Sequence, residues 1–213
     1  MSIQAEPDGL PFSQACENNR QVILDLLWPQ LSDTGSLLEI GGGTGQHAVA
    51  FARAMPHLRW HSTDQPKYVD TLNLRIQHAQ LPNLPQACGL DVTSDHWDVA
   101  HDVAHDLAGV EAVFTANTLH IMSADAVADF FAGLNRHLPA LKQLFIYGPF
   151  RYNDEFTTAS NASFDQWLKE RDSRSGIRDI EMIMQLAESI GLRLVQDHSM
   201  PANNQLLVLE RSG

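Results

Sequence analysis

Glycine occupies positions 41, 42, 43 and 45, directly after the run Leu37, Leu38, Glu39, Ile40. Glycine permits tight turns and lets a ligand approach main-chain N–H groups at the start of a helix. A plain strand–helix turn needs one or two glycines, so this density points to a bound ligand. The loop lacks the G-K-[ST] ending of a phosphate-binding P-loop. The dinucleotide pattern G-x-G-x-x-G/A fits Gly43, Gly45 and Ala48. However, Glu39 stands two residues before Gly41, and an acid there is ill suited to face a pyrophosphate. It suits a ligand that carries positive charge and hydrogen-bond donors, such as an amino-acid ammonium.

Other chemistry-bearing residues follow apolar runs. Asp64 ends "LRWHSTD" and Asp91 lies in "GLDVT"; each is either a ligand contact or a turn cap. Asn117, Leu119 and His120 follow "VEAVFTAN", and Tyr147 closes "LKQLFIYG". His120 and Tyr147 are either site residues or satisfied core residues. Arg151, Asn161, Arg171 and Arg178 lie in a long polar–aromatic excursion and are candidates to bind an anionic substrate or to form surface ion pairs. Asn203 and Asn204 occupy a late turn, where asparagine is common for backbone reasons. Glu17 and Arg20 share the polar side of the first helix, as a cover for the ligand or as an exposed ion pair. "HDVAHD" at 101–106 spaces two histidines by four, but it offers no third ligand. A solvated helix face is the better reading, and no metal is expected.

Strands and helices alternate around these residues. Helices are expected over 13–28, 46–55, 67–80, 123–138 and 179–190, where apolar residues recur at helical spacing. Strands are expected at "SLLEIG", "LRWHSTD", "LPQACGLDV", "VEAVFTAN" and "LKQLFIYG". This alternation predicts a mostly parallel, doubly wound α/β sheet. The last two strands, in "LRLVQDHSMPANNQLLVLER", have no helix between them and predict an antiparallel hairpin. The carboxyl ends of the parallel strands would then gather the candidate residues.

With 213 residues, one domain is expected over 1–213, with the excursion 149–178 as a candidate lid. A net charge of −12 disfavours nucleic-acid and membrane-surface partners, which select basic patches. The two cysteines, Cys16 and Cys88, make no disulfide framework. The amino-terminal stretch has no signal-peptide character, and no segment approaches the roughly 20 apolar residues of a membrane span. A cytoplasmic protein acting on a small molecule is expected, with its oligomeric state left open.

"LLEIGGGTGQ" resembles the first motif of class I S-adenosylmethionine-dependent methyltransferases. The resemblance implies a Rossmann-like methyltransferase fold and S-adenosyl-L-methionine as cofactor. It also implies cofactor roles for Glu39, Gly41, Gly43, Gly45, Asp64 on the ribose, Asp91 and Val92 at the adenine, and Asn117 near the methionine end. Within that class, "ENNR", "GGGTGQHAVAFA", "LDVT", "ANTLHI", "YGPF", "SNASFD" and "MPANN" are similar to a poorly characterised methyltransferase-like group. That group would carry "ASGTG" where this chain has "GGGTG". The resemblance implies methyl transfer to a small-molecule acceptor, with Asn117, His120 and Tyr147 as catalytic candidates. Arg151, Asn161, Arg178, Asn203 and Asn204 are the substrate-binding candidates. A nicotinamide-dependent oxidoreductase and a non-catalytic S-adenosylmethionine sensor or partner-binding protein are the alternatives.

Overall fold

The structure is a computed structural model, and it describes residues 4–5, 9–97 and 107–211. The histidine-rich segment 101–106 lies outside the described residues. The chain forms two compact units: the described parts of Met1–Asp91 with Asp98–Val113, and Val92–Trp97 with Phe114–Gly213.

The first unit opens with the short antiparallel pair β1 (Gln4–Ala5) and β2 (Pro11–Phe12). Helix α1 (Gln14–Gln30) follows, where a helix was expected over 13–28. Ser13 starts it as an N-cap, its side chain accepting from the Cys16 N–H at 3.4 Å. Strands β3 (Ser36–Ile40), β4 (Arg59–Asp64) and β5 (Cys88–Gly89) pair in parallel in that order. Helices α2 (Gln46–Ala54) and α3 (Val69–Ala79) connect them and pack on each other and on β4. The core between these layers holds Leu37, Leu38, Phe51 and Trp60, all fully buried. Each such side chain stabilises the fold by roughly 1.5–3 kcal/mol.

The third strand is much shorter than "LPQACGLDV" predicts. Pro85 has no N–H to give to a ladder. The Asn73 amide takes both main-chain groups of Ala87, accepting from its N–H at 2.7 Å and donating to its carbonyl at 3.0 Å. Pairing therefore starts only at Cys88, opposite Thr63.

Strand β6 (Ala112–Ala116) gives its first two residues to the first unit and its last three to the second. In the second unit, helix α4 (Ala124–His137) is capped by Ser123 and buries Val127, Phe130, Phe131 and Leu134. Strand β7 (Gln143–Gly148) follows. The excursion is built from β8 (Phe150–Tyr152), β9 (Glu155–Phe156), helix α5 (Ala159–Arg171) and β10 (Arg178–Asp179). Its three strands form their own small sheet in the order β10-β8-β9. Helix α6 (Ile180–Ser189) leads into β11 (Leu192–Met200), a tight turn and β12 (Asn204–Arg211). Strand β12 pairs antiparallel with both β11 and β7, forming the expected hairpin. Apart from the two small sheets, seven strands and their helices make the expected α/β fold.

Candidate functional site

In the first unit, the glycine loop joins β3 to α2. Gly41, Gly43 and Gly45 have φ of 81°, 58° and 76°, a left-handed region that penalises any side chain. The N–H groups of Gly41 and Gly42 both donate to the Thr63 carbonyl at 2.9 Å, which bends the loop over the end of β4. A Cβ on Gly43 would meet nothing within 4 Å, so the loop presents an open face there. Helix α2 follows the N-cap Gly45, which has no side chain to cap it, and a helix N-terminus suits an incoming oxygen.

Asp64 is tied to this loop. Its Oδ2 accepts from the Gly43 N–H at 2.8 Å, and its Oδ1 accepts from the Gln65 N–H at 2.7 Å. Burial raises its pKa, and those two hydrogen bonds oppose the rise. The Leu90 N–H donates to the Asp64 carbonyl at 2.8 Å, which brings exposed Asp91 to the same strand end. Val92 follows as a buried residue.

Glu39 lies inside the sheet and is only 2% exposed. Its Oε2 accepts from Ser62 Oγ at 2.5 Å and from Trp60 Nε1 at 3.0 Å. Burial pushes its pKa up to about 7, with Asp64 adding to the rise. The structure therefore joins Glu39 to two β4 donors, beneath the loop that it precedes in sequence.

Three residues that the sequence reading did not single out, Gln46, His47 and Asn19, fasten α1 to the loop. Gln46 Oε1 accepts from the Ser13 N–H at 2.6 Å and from Thr44 Oγ1 at 2.9 Å. His47 Nε2 meets Asn19 Oδ1 at 2.7 Å, and its ring stacks on Phe51 at 5.3 Å. Burial lowers the His47 pKa to about 4, so the ring is neutral at neutral pH. Glu17 pairs with Arg20 at 2.8 Å. The two residues line an open groove with Gln46, Arg53 and Arg75. Buried polar residues on a helix carry no periodic signal; only the segments "ENNR" and "GGGTGQHAVAFA", which carry the resemblance, include them.

In the second unit, Asn117 sits just past β6 with φ of 58°, and its N–H donates to the Tyr147 carbonyl at 2.8 Å. His120 is 6% exposed, and its ring meets Phe164 edge-on at 5.4 Å. Burial lowers its pKa to about 4, and Arg178 adds to the fall. A Cβ on Gly148 would lie 3.7 Å from His120 Nδ1 and 4.0 Å from Asn117 Oδ1. Side chains alternate along a strand, so the buried Tyr147 projects from the other face of β7. The structure thus gathers Asn117 and His120 beside Gly148, and Tyr147 points away from that side.

The excursion grips the turn after β6. Four consecutive carbonyls, from Leu119 to Met122, accept from Arg178 Nε at 3.2 Å, the Gly176 N–H at 2.9 Å, Ser175 Oγ at 2.8 Å and Arg178 Nη2 at 2.7 Å. Arg178 is thereby committed to main-chain carbonyls. Asn161 donates to the Asn203 carbonyl at 3.0 Å and to Thr157 Oγ1 at 2.9 Å, while Asn203 Nδ2 donates to Ser160 Oγ at 3.0 Å. Asn204 Nδ2 donates within its own turn, to Pro201 at 3.2 Å. Arg151 Nη2 pairs with Asp154 at 3.2 Å, and its guanidinium lies 5.7 Å from the Phe156 ring centroid. Arg171 lies over Trp167 at 4.6 Å. Among the described residues, no group of three or more His, Cys, Asp or Glu is placed to hold a metal ion. No described helix is long and apolar enough to cross a membrane.

The chain belongs to the family described as a protein of unknown function (DUF938), which matches it over residues 10–211. A short stretch of 52 residues is 36% identical to the O-methyltransferase pgmB of Aspergillus terreus, covering 24% of this chain and 15% of that protein. Among solved structures, the chain resembles human N-acetylserotonin methyltransferase in complex with SAM, at 16% identity and a TM-score of 0.71 over 94% of this chain and 53% of that one. It also resembles the S-adenosylmethionine-dependent methyltransferase SibL, at 20% identity and a TM-score of 0.71 over 93% and 56%. An O-methyltransferase family protein from Burkholderia thailandensis matches at 18% identity and a TM-score of 0.67 over 93% and 60%. The chain therefore shares a fold with these three solved structures, and spans little more than half of their length.

Proposed function

We propose that this member of the family is an S-adenosyl-L-methionine-dependent methyltransferase acting on a small-molecule acceptor, with oxygen as the acceptor atom. The observation that carries this reading is the loop 41–45, with three left-handed glycines and an uncapped α2 start, fastened to Asp64. The named activities of the enzymes that share its fold support the same reading.

When bound, S-adenosylmethionine supplies a sulfonium methyl that is already electrophilic. The chain's tasks are then binding, alignment and proton removal. The α2 N–H groups and the loop are suited to the carboxylate of the methionine end. Asp64 and Asp91 offer carboxylates to hydroxyl and amino donors, and Glu39 fixes the strand beneath. Asn117 and His120 are assigned to the acceptor. His120 is neutral at neutral pH, the form that accepts a proton, but a pKa of about 4 makes it a weak base. Alignment, which supplies roughly 7–11 kcal/mol in favourable systems, is therefore the larger contribution; a base adds about 10²- to 10⁴-fold.

Thermal denaturation with S-adenosylhomocysteine and with NAD tests the reading. At 100 times its dissociation constant, a ligand adds about 2.7 kcal/mol to native stability. S-adenosylhomocysteine is expected to raise the midpoint and NAD to leave it unchanged. Stabilisation by NAD alone would give the loop to a nicotinamide cofactor instead.

A further inference from the structure

Gln205 carries a polar atom that no described residue hydrogen-bonds. Its Oε1 is buried and accepts no hydrogen bond among the described residues. An unmade bond on a buried oxygen is costly, and folding normally avoids it.

The β12–β7 ladder sets where this side chain points. Gln205 stands directly opposite Gly148. Opposite residues of an antiparallel pair project from the same face. The Cβ direction of Gly148 leads to His120 Nδ1 and Asn117 Oδ1. Gln205 therefore projects on the side that carries Asn117 and His120, across a position with no side chain of its own. The segments "YGPF" and "MPANN" meet at this point, since Gly148 belongs to one and Gln205 directly follows the other. Phe164 closes on His120 edge-on, and Trp167 stacks on Phe164 at 5.7 Å, which adds aromatic surface.

We propose that Gln205 is a specificity-determining residue whose Oε1 accepts a hydrogen bond from a hydroxyl or N–H of the methyl acceptor. The inference rests on the proposed function only in calling that ligand a methyl acceptor. A neutral, ring-bearing donor fits best. Asn117, His120 and Gln205 are uncharged at neutral pH, and the Arg178 guanidinium behind the turn disfavours an added cation.

Phenol and anisole are suitable probes, because they share a ring and only phenol donates. Their binding is measured by ligand-observed NMR on the full chain with S-adenosylhomocysteine present. Phenol is expected to bind at least threefold more tightly than anisole, and Gln205→Leu is expected to erase that difference. The thermal midpoint of Gln205→Leu should be unchanged or higher, because an unsatisfied buried oxygen is removed. Gln205→Met keeps the test available if the leucine variant does not fold. Equal binding of the two probes by the wild-type chain overturns the inference. A variant with a lowered midpoint and an unchanged phenol preference also overturns it, and leaves Gln205 a structural role. Calorimetry with S-adenosylhomocysteine alone keeps the two readings apart: its failure to bind counts against the methyltransferase, while the phenol–anisole ratio still reports on Gln205.

Discussion

The carboxylate of Asp64 holds the main-chain N–H of Gly43 at 2.8 Å, so one side chain at the end of β4 sets the shape of the loop after β3. Asp64→Ala is expected to weaken S-adenosylhomocysteine binding at least tenfold in a calorimetric titration. The reason is twofold: Gly43 loses its anchor, and charge-assisted hydrogen bonds of about 1.5–3 kcal/mol each are no longer available to ribose hydroxyls. Unchanged affinity would restrict Asp64 to loop capping.

Gly42 stands where the "ASGTG" pattern would place serine, and its surroundings leave no room for a side chain. A Cβ there would collide with Ser62 Oγ and lie 2.9 Å from Leu72 Cδ2. Gly42→Ser is therefore expected to destabilise the fold by about 1–3 kcal/mol in urea denaturation. Adding Leu72→Ala should recover little or none of that loss if Ser62 is the main obstacle, and a substantial part if Leu72 is. A fully stable Gly42→Ser chain would contradict the tight packing of this loop.

Burial of titratable groups gives stability a defined pH dependence. The histidines His47 and His120 have folded pKa values near 4, below the ordinary 6.5. Between those values the unfolded chain binds more protons, so each histidine's contribution is complete above about pH 6.5 and is lost as pH falls towards 4. Glu39 behaves oppositely: with a folded pKa near 7 against 4.5, it stabilises at low pH and loses that contribution as pH rises from 4.5 to 7. The two histidines outweigh the Glu39 carboxyl together with the less strongly shifted Asp64 carboxyl, whose pKa burial also raises, so stability should rise from pH 4.5 to 6.5. Glu39→Gln should steepen this rise, and His47→Gln should flatten it, in denaturant titrations at several pH values.

The Asn19–His47 contact offers a sharper test of the same physics. Asn19→Asp places a carboxylate at the 2.7 Å position beside His47 Nε2. An opposite charge at that distance favours the imidazolium. The His47 pKa, followed by NMR, should rise well above 4. A ring that stays neutral below pH 5 would show that desolvation outweighs the new partner.

Strand–helix alternation made β3, β4, β6 and β7 readable from apolar runs, and α4 from Val127, Phe130, Phe131 and Leu134 at helical spacing. The interior of the excursion was harder. Helix α5 buries Asn161 and Asp165 alongside Leu168, so its buried face is largely polar. Strands β8 and β9 are short, although Asn153 and Asp154, both with positive φ, mark the two-residue turn between them. At the site, the glycines were legible because their conformation demands that residue type. The partners of Glu39 and Asp64, and the position of Gln205 opposite Gly148, depend on strand register, which no local pattern encodes.

The grip of the excursion on residues 119–122 has a consequence for how a ligand enters. Ser175, Gly176 and Arg178 must release four neighbouring carbonyls together before that turn can lift. Segments joined in this way open as one cooperative unit, and native-state hydrogen exchange would register them as a single protected block. Under the proposed function, an acceptor reaching His120 would then depend on side-chain rotation at Phe164 and Trp167, on the nanosecond scale of rotamer motion when such groups are exposed, rather than on a rising and falling backbone flap.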